Sequence, residues 1–574
     1  MFAVFLVAFI RALDAGMLGH DYFYFFSKLL EGKWHILRQG PVPMRWTPHY
    51  CGGMPQYGNP QDVLYSLPQI LVFFVHVWNA VKLTMIAALI AGYAGWYRVG
   101  KDIIRVSPAW SHVLALIVSA HGFYFMHMIP GHLVFHTGTL IGWLIWLLLR
   151  RDRESTRDLR VRSAWFALTL AVMLYSGGYL MVIMAMCALG NLVPVDLILH
   201  AVSPTALRQR LTTLLRRLGT FGIATLLLCG SKLVAVWSFM RFLPRIWPFE
   251  RFPEGVSALA YLFKAFFWIP QSDALFEPYG MPNWGSIHEY SMFISPVVLV
   301  GIGALLWLGY RNHTVLMQSK YRTLGLGLWV LWSTFFFAQF ARGYGLIITP
   351  MEDWPVMESL HVNTRYLYAY SFLIILGSMW ALHRLTATYA RAVWVAFGAA
   401  VLSVLSFVVA YGPMIRGDTA RLPVTLPWSV VYESMLQHSD YLEHNVDEMF
   451  DMRGLGHSEL VPLYFGGNDI YCHEPVFLGD EGFARQELHA GPVTLVRDNG
   501  YNMYNPACMQ YPTQNGCVPG SRVIANDGEN LEKFTQGKSN DWKLSPLQRI
   551  SDVLSALTLL GCTGIVAYSL WRRR

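Results

Sequence analysis

Hydrophobic residues fill 54% of the 574 positions and charged residues only 14%, a balance that a water-soluble domain of this size could not keep in solution. The net charge of +8 comes from Lys and Arg that gather between apolar runs. It therefore reports membrane orientation and anionic headgroups, and nucleic acid is excluded as the partner it implies.

The first apolar run, 1 to 17, is tested as a signal peptide and fails. It has no basic leading region, it carries Arg11 and Asp14 near its outer end, and no small-residue cleavage site follows. It is read as a short first span, and its brevity leaves room for a start further upstream. The loop from 18 to 79 follows, with Gly19, His20 and Asp21 at its head. Behind them come an amphipathic run from Tyr22 to Leu37 and a Trp/Pro/Gly-rich connector from Trp46 to Gln61. A carboxylate at the mouth of an apolar bundle, under a rigid cover, suits chemistry at a membrane surface on a lipid-linked substrate.

Eleven further runs approach the roughly 20 apolar residues that cross a bilayer: 80 to 98, 109 to 127, 132 to 149, 164 to 176, 178 to 199, 219 to 240, 290 to 310, 323 to 341, 364 to 383, 391 to 412 and 551 to 571. The fifth and sixth meet at Tyr175-Ser176-Gly177-Gly178-Tyr179 and could also form one kinked helix. With the N-terminus inside, the cytoplasmic pieces collect Arg98, Lys101 and Arg105, then Arg150 to Arg162, Arg208 to Arg217, Arg311 to Arg322, Arg384 with Arg391, and Arg572 to Arg574. Short cytoplasmic loops concentrate such charge, so both termini are placed inside.

The predicted architecture is an all-α polytopic membrane bundle of about twelve transmembrane helices. Residues 1–412 form the bundle with outer loops 18–79 and 241–289, 413–550 form a β-rich extracytoplasmic domain, and 551–574 form a final span with a basic tail. The β expectation rests on stretches such as Pro492 to Val496 and Ser521 to Ile524, set among Asn, Asp, Gly and Pro. The apolar segment Ser257 to Trp268 is expected to lie along the outer leaflet. Cys187, Cys229 and Cys562 fall in spans as packing residues. Cys51, Cys472, Cys508 and Cys517 fall outside, where a Cys508 to Cys517 bridge would suit an exported domain.

Gly19-His20-Asp21, Trp46-x-Pro48, Gly52-Gly53-x-Pro55 and Asn59-Pro60-Gln61 resemble the first outer loop of the YfhO-like and 6-pyruvoyl-tetrahydropterin-synthase-related membrane proteins of the GT-C superfamily. Trp284, the run His288 to Ile294 and Asn363-x-Arg365-Tyr366 are similar to further elements of that family. The resemblance is one of overall architecture carried by short motifs. It implies a glycosyltransferase, moving a hexose or pentose from a polyprenyl-phosphate donor to a glycan, lipid or protein acceptor. The expected location is the bacterial cytoplasmic membrane, with the active site facing out.

That chemistry needs a base for the acceptor hydroxyl, assigned to Asp21, and positive charge or a divalent metal such as magnesium or manganese for the departing phosphate. Arg365, Arg245, Arg241 and Lys232 are the cationic candidates. His20, Trp46, Tyr57, Asn59, Gln61, His288 and Glu289 complete the expected substrate contacts. Glu289, His132 and His136 are the candidate metal ligands, the two histidines by their four-residue spacing. His121 and His127 belong to the same histidine-rich turn, which lacks the acidic residue many GT-C enzymes carry there.

Each assignment has a structural alternative. Asp21 could cap the helix that follows, Glu289 could cap span eight, Arg365 could snorkel to headgroups, and Lys232 could sit in a buried ion pair. Trp46 and Tyr57 could pack as a rigid cover. A transporter or flippase would show inverted repeats and helices broken at mid-membrane; no internal repeat is found, and most of the ionisable candidates lie at outer ends. A non-catalytic assembly protein would keep the bundle without needing Asp21.

Overall fold

The computed structural model describes residues 1–13, 17–19, 21–45, 47, 56–151, 155–242, 258–267, 287–311, 320–351, 362–387, 391–415, 425–427, 449–450, 468–469 and 544–572. His20, Trp46, Arg245, Trp284 and the four cysteines Cys51, Cys472, Cys508 and Cys517 lie outside them, as does the Cys508 to Cys517 bridge.

In chain order the helices are α1 Phe2–Leu13, α2 Asp21–Gln39, α3 Leu67–Leu71, α4 Val77–Arg98, α5 Pro108–Ser119, α6 Gly122–Met128, α7 Ile141–Leu149, α8 Thr156–Tyr175, α9 Tyr179–His200, α10 Pro204–Phe242, α11 Ala258–Phe267, α12 Ile287–Tyr290, α13 Val297–Arg311, α14 Lys320–Arg342, α15 Leu367–Thr386, α16 Ala392–Ala410, α17 Gly412–Ile415 and α18 Pro546–Trp571. Tight 3-10 segments Leu133–Leu140 and Asn363–Tyr366 lead into α7 and α15.

Among the described residues, eight helical stretches are long and apolar enough to cross a membrane: Val77–Ile103, Pro108–Met128, Tyr179–His200, Pro204–Met240, Leu324–Ala341, Asn363–Thr386, Ala392–Ala410 and Pro546–Trp571. The other four of the twelve expected spans are not among them. Three more of the expected spans are shorter apolar helices, Phe2–Leu13, Leu133–Leu149 and Val297–Arg311. The first, 12 residues long, reaches only about 18 Å at 1.5 Å per residue. The twelfth, α8, opens with Arg157, Asp158, Arg160 and Arg162, so too little of it is apolar. It is a helix of its own, because Gly177 adopts φ +75°, a conformation that breaks the chain between α8 and α9.

The expectation of a β-rich domain is not supported. Between 416 and 543 the described residues hold only the short strands Thr425–Pro427, Met449–Phe450 and Asn468–Asp469, which do not make a β-rich domain. Thr425–Pro427 pairs antiparallel with Met17–Gly19. Its backbone hydrogen bonds therefore go to the first loop, and the stretches read as β-prone lie outside the described residues.

Aromatic packing fills the core. Phe5 and Phe9 are fully buried and meet Phe407 at 5.0 Å and Phe125 at 5.8 Å between ring centroids, edge-on as ring quadrupoles favour. α13 and α15 approach closely where a Cβ on Gly301 would come within 2.4 Å of Ser378, the small-residue contact on which membrane helices depend. α8, α10 and α18 pack against one another.

Two arginines of the expected cytoplasmic pieces are internal braces. Arg217 is buried and donates to the carbonyls of Leu148 and Arg150, each at 2.7 Å, closing the C-terminal end of α7. Arg210 pairs with Asp196 at 2.6 Å and donates to Leu149 O at 2.7 Å.

Candidate functional site

Four separate segments converge on one polar cluster: the start of α2, the turn from His127 to His132, α12, and the 3-10 turn that opens α15. The turn is built by backbone constraint. Gly131 has φ +108°, and a Cβ there would lie 2.4 Å from Tyr22 N, so only glycine fits. His132 N donates to His127 O at 3.0 Å, and Asp21 N donates to Pro130 O at 3.0 Å. Tyr22 donates its hydroxyl to Met128 O. The first loop is thereby fastened to the histidine turn through backbone contacts that do not depend on the charged side chains.

Asp21 is the first residue of α2, within the turn where the helix dipole favours a negative side chain. Its Oδ2 lies 3.0 Å from His132 Nε2, so the position at a helix start and the contact with the histidine turn coexist.

Glu289 is the centre of the second half. Arg365 grips it with two donors, Nε to Oε2 at 2.7 Å and Nη2 to Oε1, the forked geometry that makes arginine–carboxylate pairs strong. His127 Nε2 stands 3.1 Å from Oε2 and His288 Nε2 stands 3.3 Å from Oε1. Thr364 donates to Glu289 O at 2.9 Å. Burial pushes the Glu289 carboxyl up, but Arg365 first, then His127 and His288, outweigh it and hold it well below the usual carboxylate range. Burial lowers His288. Glu289 does not cap the eighth span. It lies on α12, and α13 begins only at Val297. Between them Met292 N and Ile294 N donate to Ala265 O and Phe266 O of α11, at 3.0 and 2.8 Å, and Phe293 O accepts from Gly122 N at 2.7 Å. The segment expected along the outer leaflet is thus the amphipathic helix α11, bound by these contacts to the approach to α13.

His127, His132 and Glu289 bring one ligand atom each within 4.8 Å of one another, a spacing that a small cation could bridge. The charge pattern argues against one. Both Glu289 oxygens already face Arg365 and an imidazole, and a divalent ion on that carboxylate would lie against the guanidinium. His127 also has Nδ1 2.7 Å from Phe123 O, an acceptor that places a ring proton on that nitrogen. His136 does not join the group. Its Nδ1 turns to Leu133 O at 2.6 Å inside its own 3-10 segment, where four-residue spacing no longer stacks side chains on one face.

Lys232, Tyr57 and Asn59 belong to a second cluster. The Lys232 ammonium donates to Tyr57 O at 2.9 Å, Asn59 O at 3.0 Å and Asp62 Oδ2 at 3.1 Å. Its three protons are all engaged, which is the buried ion pair of the alternative reading. Tyr57 OH meets Ser231 Oγ at 2.6 Å, and Ser231 with Gln548 and Arg45 converges on Asp552 of α18. Gln61 N bonds to Asn59 Oδ1 at 2.8 Å. The Gln61 backbone packs against Gly177 beside Val134, two residues from His132. The α10 backbone includes Arg241, whose side chain lies outside the described residues.

The structure therefore gathers Asp21, His132, His288, Glu289 and Arg365 in one place and sends Lys232, Tyr57 and Asn59 to another. The sequence reading missed His127 as a Glu289 partner, although it noted the histidine cluster, and it missed Asp62, Ser231 and Asp552 as the partners of the second group. The chain matches no protein-family profile and no curated protein.

Proposed function

We propose that the Asp21/His132 and Glu289/Arg365 cluster is the active centre of an integral membrane glycosyltransferase that takes a sugar from a polyprenyl-phosphate carrier. The observation that carries this reading is the juxtaposition of two chemically different halves: a carboxylate–imidazole pair that is partly open, with side-chain exposures of 21% and 15%, beside a guanidinium clamped by a carboxylate at 8%. The first half can take a proton from an acceptor hydroxyl. The second holds a planar cation in fixed orientation, with Glu289 engaging two of its five N–H groups, beside the place where a phosphate would acquire charge.

In the transfer, the acceptor oxygen bonds to the anomeric carbon, the carbon–oxygen bond to the lipid phosphate breaks with its electron pair, and the hydroxyl proton passes to the protein. No metal is required in this scheme. The resemblance of the first-loop motifs to GT-C glycosyltransferases supports the same reaction class and an outward-facing site, with both termini cytoplasmic.

The test is the full chain, purified into nanodiscs and offered a panel of polyprenyl-phosphate hexoses and pentoses, with release of polyprenyl phosphate measured. Sugar-dependent release abolished in Asp21→Asn supports the reading. No release from any donor, with or without candidate glycan, lipid and protein acceptors, rejects it.

A further inference from the structure

We infer that the proton acceptor is His132, with Asp21 as the residue that positions and charges it. This inference rests on the proposed reaction and changes which atom does the work. His132 Nε2 faces the Asp21 carboxylate at 3.0 Å. A carboxylate accepts and does not donate, so the ring proton lies on Nε2 and the lone pair of the neutral ring lies on Nδ1. Nδ1 is buried and has no hydrogen-bond partner among the described residues. The neighbouring rings are turned to the protein instead: His127 places Nδ1 at Phe123 O and Nε2 at Glu289, and His288 places Nε2 at Glu289.

The arrangement is a carboxylate–imidazole dyad. Aspartate fixes the tautomer and orientation of the ring and stabilises the imidazolium once it forms. Near neutral pH an imidazole is a much stronger base than a carboxylate that already accepts a hydrogen bond. The step balances simply. The acceptor O–H proton moves to His132 Nδ1 as the oxygen bonds to the anomeric carbon, and the electron pair of the broken bond leaves with the lipid phosphate. Asp21 stays ionised throughout and compensates the new positive charge. The Pro130 O to Asp21 N bond and the glycine at 131 hold the two partners in register through the backbone, independently of the side chains tested.

The experiment uses the full chain in nanodiscs and measures donor cleavage by His132→Gly with and without added imidazole. Turnover should fall about 100-fold or more, and free imidazole should restore it at least tenfold, with the restoration tracking neutral imidazole as pH is varied. Asp21→Asn, which leaves the ring in place, should lose turnover to a similar degree and gain nothing from imidazole. Turnover of His132→Gly within twofold of wild type overturns the inference, and so does absence of rescue in a variant that unfolds at the wild-type temperature.

A second measurement needs no known donor. Diethyl pyrocarbonate labelling of the wild-type protein, read by mass spectrometry, should modify His132 faster than His127 and His288, and Asp21→Asn should alter the rate at His132 alone. Equal or slower labelling of His132 overturns the dyad. A chain that cleaves no lipid-linked sugar yet shows this labelling pattern would defeat the proposed reaction while leaving the dyad standing.

Discussion

Two of the polar clusters among the described residues handle charge in opposite ways. The Lys232 ammonium has an acceptor for each of its three donors, two backbone carbonyls and one carboxylate, and both charged side chains are nearly inaccessible, at 1% and 3%. Around Asp21 and His132 the pair is partly open and one ring nitrogen has no partner among the described residues. Buried charge in a membrane protein is expensive wherever it stands. The fully engaged ammonium is a brace, and the partly open pair is the centre of the site proposed above.

That contrast can be broken first at the brace. Lys232→Met would leave Asp62 buried without its counter-ion, and the expected loss of stability is about 3–5 kcal/mol, seen as a lowered unfolding temperature in detergent. Removing both charges, as Lys232→Met with Asp62→Leu, should recover much of it. A double variant no more stable than the single one would show that Lys232 does more than neutralise Asp62.

At the other cluster the sign of the effects reverses, with stability near normal and activity lost. Asp21→Asn keeps size and hydrogen-bonding capacity but cannot hold the ring tautomer or its charge, so donor cleavage should drop by about 100-fold or more while thermal unfolding stays within a few degrees. Full activity in that variant would remove Asp21 from the mechanism. Arg365→Ala should cost less in turnover than Asp21→Asn but weaken donor binding as well, and Arg365→Lys should restore only part of it, because a point charge replaces a planar fork. If lysine restores everything, the forked grip on Glu289 has no part in substrate handling.

A further expected effect, read as a pH dependence, concerns Glu31 on α2. Burial pushes its carboxyl up to about 8, against the lowering influence of Thr47 and Lys28. The folded state therefore holds a proton that the unfolded chain gives up near its ordinary value of 4.5. This contribution is full below that value and is lost as pH rises through about 8. Stability should decline across that window, and Glu31→Gln should flatten the decline. Identical slopes in the two proteins would contradict the assignment.

What the sequence disclosed follows from where polar residues stand relative to apolar runs. Asp21, Glu289 and Arg365 each interrupt or abut such a run, so they stood out before any coordinates. Asp62 could not be read as the partner of Lys232, because 170 positions separate them and loop residues carry no periodic signal. The histidine turn was visible as a cluster, but its geometry depends on Gly131 and on a 3-10 segment in place of an α-helix. That local choice separates His136 from His132 and brings in His127. Span boundaries shift for a related reason. Hydropathy marks an apolar stretch but not where its helix begins, and the chain from Ser291 to Pro296 runs without helical structure before α13 starts.

The brace also constrains how this protein is made. Arg45 and Ser231 both reach Asp552, which is synthesised 507 and 321 residues after them, and Ser231 N bonds to Ser555 Oγ. While the ribosome is still translating the region between α17 and α18, α10 already sits in the bilayer with this polar face uncovered. Docking of α18 is therefore a late event in biogenesis, and an intermediate lacking it would present membrane chaperones and intramembrane proteases with an arginine and a serine-lined helix face that the finished protein conceals.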